Sequence, residues 1–289
     1  MDTSTPFSYE EAFSRNIGLI TDREQEMLKN STVAIAGLGG VGGIHALSFA
    51  RLGVGGFHIA DPDTFECANM NRQAAAFAST FGKSKATTVE AMIKDINPHA
   101  RVVSHAGPVD ESYVREFLKE ADVFVDGIDF FQIAARRLVF AEARKQGIPS
   151  VTAGPIGFGS ALLAFDPHGM SFDEYFDLHD GMSEEDMAIQ FGLGITPSLL
   201  QRSYFRPDAV SFKGHKAPSL VTGTLLAANL VTCEVVKLLI GRGQVRYVPR
   251  SSHFDPFVSK YKHVYMPGGN RNPIQRFKRW YFKRTLKSV

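Results

Sequence analysis

Cysteine is nearly absent from this chain of 289 residues: Cys67 and Cys233 stand alone, and no C-x-x-C occurs. That scarcity excludes a disulfide framework and a thiolate zinc site, and it sets the expectation of a reducing, cytoplasmic location. A long unbroken apolar run is missing too. The longest, Leu220 to Ile240, is interrupted by Asn229, Glu234 and Lys237, which favours a buried or interfacial helix over a membrane span. The opening residues, Met1-Asp2-Thr3-Ser4-Thr5-Pro6, have neither a basic region nor a following apolar stretch, so no leader peptide is expected. No internal repeat, low-complexity tract or linker divides the chain. With 44% hydrophobic, 21% charged and 11% aromatic residues, the composition is that of an ordinary globular protein with material for a sizeable core.

Acids are missing from the end of the chain. Of the 32 Lys and Arg, nine lie after Asp255, and none of the 30 acids does. Residues 1 to 255 therefore hold 23 cations against 30 acids, net −7, and the remainder carries +9. The run Arg276-Phe277-Lys278-Arg279-Trp280-Tyr281-Phe282-Lys283-Arg284 is both basic and aromatic. Such a tail suits contact with nucleic acid, anionic lipid or an acidic partner, or else it is a solvated helical end that packs Trp280 on the body.

What is present is an alternation of strands and helices. Thr21-Asp22-Arg23-Glu24 has capping-box spacing and opens a helix ending near Asn30; Val33-Ala34-Ile35-Ala36 is a buried-type strand. A helix to Leu52 follows, then a strand at Phe57-His58-Ile59-Ala60, a helix from Ser84 to Ile96, a strand at Val102-Val103 and a helix from Glu111 to Lys119. Val123-Phe124-Val125 is a strand ending at Asp126, Gln132 to Gln146 a helix, and Val151 and Ala161 to Phe165 mark two more strands. This predicts an α/β fold: a doubly wound, Rossmann-like, mostly parallel sheet that binds its ligand at the carboxyl ends of the strands. The acidic, aromatic stretch from about 166 to 220 reads as an inserted helical cap over the site. A helix over Leu220 to Ile240 and antiparallel strands near Val245 and Tyr261 to Tyr265 complete the body.

The first strand runs directly into Gly37-Leu38-Gly39-Gly40-Val41-Gly42-Gly43, and Asp61 follows the second. Glycines that admit a close ligand, a helix N-terminus that favours negative charge and a carboxylate for ribose together identify a nucleotide; they serve NAD and ATP equally. Gly82-Lys83-Ser84 is not a P-loop, because Phe77 stands where that motif needs glycine. Lys85, at a helix start, is placed to hold polyphosphate. The run from Asp61 to Gln73 clusters Asn69, Asn71, Arg72 and Gln73 beside the loop, a set suited to holding phosphates and neutralising charge during transfer at phosphorus. Asp129, just past a strand end, reads on its own as a helix cap before Gln132. Cys67 and Cys233 read as small buried packing residues. The nine histidines form no metal spacing, and G-x-S-x-G does not occur.

The ordered set Phe13-Ser14-Arg15-Asn16, Gly37-Leu38-Gly39-Gly40-Val41-Gly42, Asp61-x-Asp63, Asn69-Met70-Asn71-Arg72-Gln73, Gly82-x-x-Lys85-Ala86, Ile96-Asn97-Pro98, Asp126-x-x-Asp129 and Glu234 to Gly241 resembles the ubiquitin-activating-enzyme superfamily, including the bacterial ThiF and MoeB adenylyltransferases. The resemblance spans roughly residues 7 to 255, with residues 256 to 289 as a basic strand and tail. It implies ATP held by Gly37, Gly39, Gly40, Gly42, Asn69, Arg72, Gln73 and Lys85, with Asp61 on the ribose and Mg²⁺ on Asp129. Arg15, Arg72, Lys85 and Asp129 are the implied catalytic residues, with Arg15 reaching the triphosphate of the second subunit in a homodimer. The implied reaction activates a carboxylate as an acyl-adenylate and releases pyrophosphate. The carboxylate belongs to a ubiquitin-like carrier, a peptide, or a small or tRNA-borne acid. The chain departs from the family pattern in having no zinc-binding cysteines, no cysteine between 166 and 220, Phe130 after Asp129 and a displaced Arg136. Neither zinc nor a cysteine thioester is expected. The rival readings are an NAD-dependent oxidoreductase, which leaves Arg72, Lys85 and Asp129 unexplained, and a catalytically silent partner subunit.

Overall fold

The computed structural model describes residues 6–206, 209–211 and 214–286. The opening five residues, read above for a leader, and residues 207–208 and 212–213 of the expected cap lie outside the described residues. Eight strands form one sheet in the order β3-β2-β1-β4-β5-β6-β7-β8. They are β1 Thr32–Ala36, β2 Gly56–Ala60, β3 Arg101–His105, β4 Val123–Asp126, β5 Ser150–Ile156, β6 Gly159–Phe165, β7 Arg250–Asp255 and β8 Lys260–Tyr265. The first five pair in parallel; β6, β7 and β8 add on antiparallel. The helices are α1 Tyr9–Ala12, α2 Asp22–Asn30, α3 Gly42–Arg51, α4 Lys85–Ile96, α5 Val114–Phe117, α6 Ile133–Lys145, α7 Phe172–Phe176, α8 Glu184–Ile195, α9 Val221–Ile240 and α10 Pro273–Leu286. This is the mostly parallel, doubly wound sheet that the alternation predicts.

The run Val33-Ala34-Ile35-Ala36 is continuous in hydrophobicity because both faces of β1 are covered. Val33 and Ile35 join one core with Phe49, Val89 and Val231; Ala34 and Ala36 join the other with Phe117, Val139 and Phe140. Each fully buried Val or Phe contributes roughly 1.5–3 kcal/mol. The chain leaves β1 for β2 on one side, and β4 pairs on the other, so the strand order reverses beside the carboxyl end of β1 and opens a crevice there.

Several local expectations are corrected. The stretch near Val245 is not a strand: Tyr247 makes one isolated bridge to Ala164, and β7 starts only after Pro249, which has no N–H to give a ladder. The helix expected over Glu111 to Lys119 shrinks to α5, because Asp110 takes the N–H and hydroxyl of Ser112 in a tight turn. Both cysteines are exposed rather than buried. For Cys233 the reason is packing: α9 covers β5 and β6 with one face and leaves the face carrying Leu225, Asn229 and Cys233 outside. Among the described residues α9 is the one helix long and apolar enough to cross a membrane, but half of it is buried within the fold. Its Glu234 is paired to Lys237 and accepts the Arg246 N–H.

Candidate nucleotide site

The turn after β1 is built by backbone packing on backbone. Gly37 has φ +81°, and a Cβ there would lie 2.3 Å from the Gly127 carbonyl oxygen; one on Gly42 would lie 1.7 Å from the Gly37 oxygen. Those glycines are required by the chain's own packing. Gly39 and Gly40 are different. A Cβ on Gly39 would meet only the Gln73 side chain, at 3.6 Å, and one on Gly40 would touch Thr224 at 3.3 Å and the Arg72 stem at 3.8 Å. Their bareness is not demanded by the fold, and at the N-terminus of α3 it leaves a cradle open to an anionic group. Gly42→Ala should therefore lower stability by about 2 kcal/mol or more, whereas Gly39→Ala should melt like the wild type yet bind ATP about tenfold more weakly. Thermal melts with calorimetric ATP titration check this. Equal affinity in Gly39→Ala contradicts the cradle.

Asp61 ties this loop to the end of β2. Its Oδ2 accepts the Leu38 N–H at 2.6 Å and its Oδ1 accepts the Asp63 N–H at 2.8 Å. Burial pushes its carboxyl above the ordinary carboxylate value, opposed by the Lys85 charge and those two N–H donors. Each carboxylate oxygen keeps a second lone pair for a ribose hydroxyl. Asp63 receives Lys85: the Nζ lies 2.9 Å from Asp63 Oδ2, with the lysine stem buried and the aspartate exposed. Backbone bonds Lys85 N to Asp63 O and Phe65 N to Lys83 O fasten the two loops, so Lys85 is delivered to the crevice by the loop after β2.

The segment from Asn69 to Gln73 is pressed between the glycine turn and the start of α9. Asn69 accepts the Glu66 N–H through its side chain, and Asn71 donates to the Ser219 carbonyl at 3.0 Å. Arg72 Nη1 donates to the Ala68 carbonyl at 3.0 Å and to Asn71 Oδ1 at 2.9 Å, and Thr224 of α9 donates to the Arg72 carbonyl at 3.4 Å. Gln73 is buried next to Gly39, and its Oε1 has no hydrogen-bond partner. A buried, unpaired amide oxygen beside an open glycine turn is where a ligand group is expected to bond.

On the other side of the crevice, β4 ends at Asp126. Its Oδ2 accepts Arg136 Nε at 2.7 Å and the Thr152 hydroxyl at 2.7 Å, and its Oδ1 accepts the Ile128 N–H at 3.0 Å. Arg136 also donates to the Ile128 carbonyl and lies over the Phe191 ring at 4.4 Å. This buried ion pair fixes the loop carrying Asp129. Asp129 is exposed and accepts the Phe131 N–H at 3.0 Å, an Asx turn rather than a helix cap, since α6 begins at Ile133. Helix α8 and His215 meet this loop through Phe130 against Phe191 and Phe131 stacked on His215. Among the described residues there is no group of three or more His, Cys, Asp or Glu that would hold a metal by itself. One carboxylate is enough for Mg²⁺ when phosphate oxygens complete the shell.

The structure thus gathers Gly37, Gly39, Gly40, Gly42, Asp61, Asn69, Arg72, Gln73 and Lys85 around one crevice, with Asp129 on the neighbouring loop. Arg15 is elsewhere. It is exposed on the 3-10 turn Ser14–Asn16, and the adjacent Asn16 donates to Gln25 and to the Leu52 carbonyl beyond the far end of α3. The length of α3, about 15 Å, separates that end from the glycine turn. Asp63 as the partner of Lys85 and Arg136 as the partner of Asp126 went unassigned in the sequence reading.

A family comparison settles the lineage: residues 13–273 match the model of the ThiF family. The chain belongs to the ThiF family. Among curated ThiF-type relatives it is similar to the tRNA threonylcarbamoyladenosine dehydratase of Bacillus subtilis, 37% identical over 142 residues, which cover 49% of this chain and 55% of the relative. It is also similar to the probable adenylyltransferase/sulfurtransferase MoeZ of Mycobacterium tuberculosis, 32% identical over 213 residues, which cover 72% of this chain and 52% of MoeZ. The chain spans about half the length of these relatives. The E. coli MccB structure with ATP shares the fold at a TM-score of 0.62 and 20% identity, over 87% of this chain and 69% of that one.

Proposed function

We propose that this chain is an ATP-dependent adenylyltransferase: a substrate carboxylate attacks the α-phosphate of ATP in line, the bond to the bridging oxygen breaks, and acyl-adenylate and pyrophosphate form. The observation that carries the reading is the convergence of an unobstructed glycine turn, Arg72 and the buried Lys85 at the carboxyl ends of β1 and β2. Catalysis at phosphorus needs positioning and charge stabilisation, and these are the groups that supply it. The turn and the N-terminus of α3 cradle phosphate. Asp61 accepts from the ribose hydroxyls. Lys85 and Arg72 hold the phosphate oxygens, and a bound Mg²⁺, taken up by Asp129, would neutralise part of the triphosphate charge. Arg15, anchored at the wrong end of α3 for its own site, serves the site of a second copy in a homodimer.

An NAD-dependent reading explains the glycines and Asp61 but assigns no role toward the ligand to Lys85, Arg72 and Asp129, which otherwise serve only local contacts. A silent subunit is disfavoured because Arg72, Lys85 and Asp129, the residues this reading gives to the phosphates and Mg²⁺, are all present in the chain. The reading includes no cysteine relay after adenylation: the segment from 166 to 220 contains no cysteine, Cys233 lies on the outer face of α9, and Cys67, though exposed, sits in the loop that this reading gives to the nucleotide. The activated carboxylate belongs to a carrier protein terminus, a peptide, or a small or tRNA-borne acid. The names of the relatives span tRNA modification, sulfur transfer and an archaeal SAMP-activating enzyme. The scarcity of cysteine supports a cytoplasmic setting. Calorimetric titration tests the nucleotide class: Mg-ATP should bind and NADH should not. Binding of NADH with no heat from Mg-ATP reverses the assignment.

A further inference from the structure

Helix α10 is fastened to the body along one side. Gln275 Nε2 donates to the Leu193 carbonyl at 2.8 Å, Lys278 Nζ to the Pro197 carbonyl at 2.6 Å, Arg279 pairs with Asp177 at 3.1 Å, and Lys283 pairs with Asp186. At 3.6 residues per turn these positions share a face, and Ile274, Phe277, Trp280, Tyr281 and Arg284 fall on the opposite one. The four apolar or aromatic residues there are 66, 63, 54 and 61% exposed, in that order. Phe277 and Trp280 pack at 5.9 Å between ring centroids, and Arg284 lies over the Trp280 ring at 5.3 Å. Arg271, Arg276 and Arg284 are exposed along the same helix and its approach.

Single exposed apolar residues are ordinary, but a continuous stripe of four over two turns marks a surface that meets something. We propose that the outer face of α10 docks on an anionic lipid bilayer, lying in the plane of the interface. Ile274, Phe277, Trp280 and Tyr281 enter the boundary between headgroups and acyl chains, where amphipathic rings are at home. Arg271, Arg276 and Arg284 meet the lipid phosphates, drawn by the negative potential of the surface. Charge complementarity selects this occupant. The body carries −7 and is repelled by an anionic bilayer, whereas the chain after Asp255 carries +9 and is drawn to it, so α10 is turned to face the membrane. Nucleic acid is a poorer match. Binding to a phosphate backbone rests on free cations, and Arg279 and Lys283 are already neutralised by carboxylates of this chain. A stripe that joins Ile274 to the rings of Phe277, Trp280 and Tyr281 is instead apolar surface that an acyl-chain boundary buries. A single short helix implies reversible association.

Trp280 is the sole tryptophan, so selectively excited tryptophan emission reports on this face alone. The full chain is titrated with vesicles of phosphatidylcholine, with and without phosphatidylglycerol, and separately with duplex DNA and tRNA. The expected result is a blue shift of Trp280 emission and co-sedimentation with the anionic vesicles only, weakened by salt. The Phe277→Ser, Arg284→Glu double variant should bind those vesicles about tenfold or more weakly while melting like the wild type. The proposal is overturned by no shift and no sedimentation with anionic vesicles at low salt, by undiminished binding of the double variant, or by a response to nucleic acid and none to vesicles. This test is independent of adenylation, because α10 contributes no residue to the nucleotide crevice.

Discussion

Lys85→Met and Asp129→Asn should each lower ATP–pyrophosphate exchange by roughly 10²–10³-fold, the loss typical of removing one preorganised charge-stabilising group. Both substitutions are chosen to spare the fold. Methionine fills the volume of the buried lysine stem, and the released partner, Asp63, is exposed and keeps its hydration. Asparagine retains the side-chain oxygen that accepts the Phe131 N–H, so the Asx turn survives while the charge that would hold Mg²⁺ is gone. Melting temperatures should stay close to wild type. Exchange at the wild-type rate in either variant removes that residue from the site. Asp61→Asn should behave otherwise, weakening nucleotide binding and loosening the glycine turn together, because one carboxylate serves both.

What the sequence makes legible is what local backbone chemistry dictates. Gly37 and Gly42 are readable because a strand running straight into a helix leaves no room for a Cβ, and Thr21 and Glu24 because a capping box lies within four consecutive residues. Lys85 is readable as a helix-start cation, but its pairing with Asp63 depends on two loops meeting, 22 residues apart. The Asp126–Arg136 clamp is hidden for a like reason. It needs the end of β4 to lie against the first turn of α6, and the helix phase that aims Arg136 inward and Arg137 toward Asp173 is set by packing on Phe191. The exposure of Cys233 is not legible, because an apolar helix does not announce which of its faces the sheet will cover. The basic tail is a helix whose inner cations are consumed by acids of the body, which no local pattern records.

Arg15→Ala and Asp129→Asn homodimers should both be inactive, and mixing them should restore activity. In an isologous dimer each site would combine Asp129 of one chain with Arg15 of the other. Equal mixing with free subunit exchange makes half the dimers heterodimers, and each of those regains one complete site of two, about a quarter of wild-type activity. The geometry motivates this directly: Asn16 is bonded at the far end of α3, so Arg15 starts about one helix length from its own phosphate turn. A mixture that stays inactive despite demonstrated exchange means that Arg15 acts in its own chain or not at all.

The most direct measurement is exchange of labelled pyrophosphate into ATP by the wild-type chain with Mg²⁺, supplied in turn with carrier-protein termini, peptides, tRNA and small-molecule acids as carboxylate sources. Label should enter ATP with one class of carboxylate, and not when it is left out. Exchange that proceeds equally without any carboxylate, or tight Mg-ATP binding with no exchange under every source, contradicts carboxylate adenylation by this site.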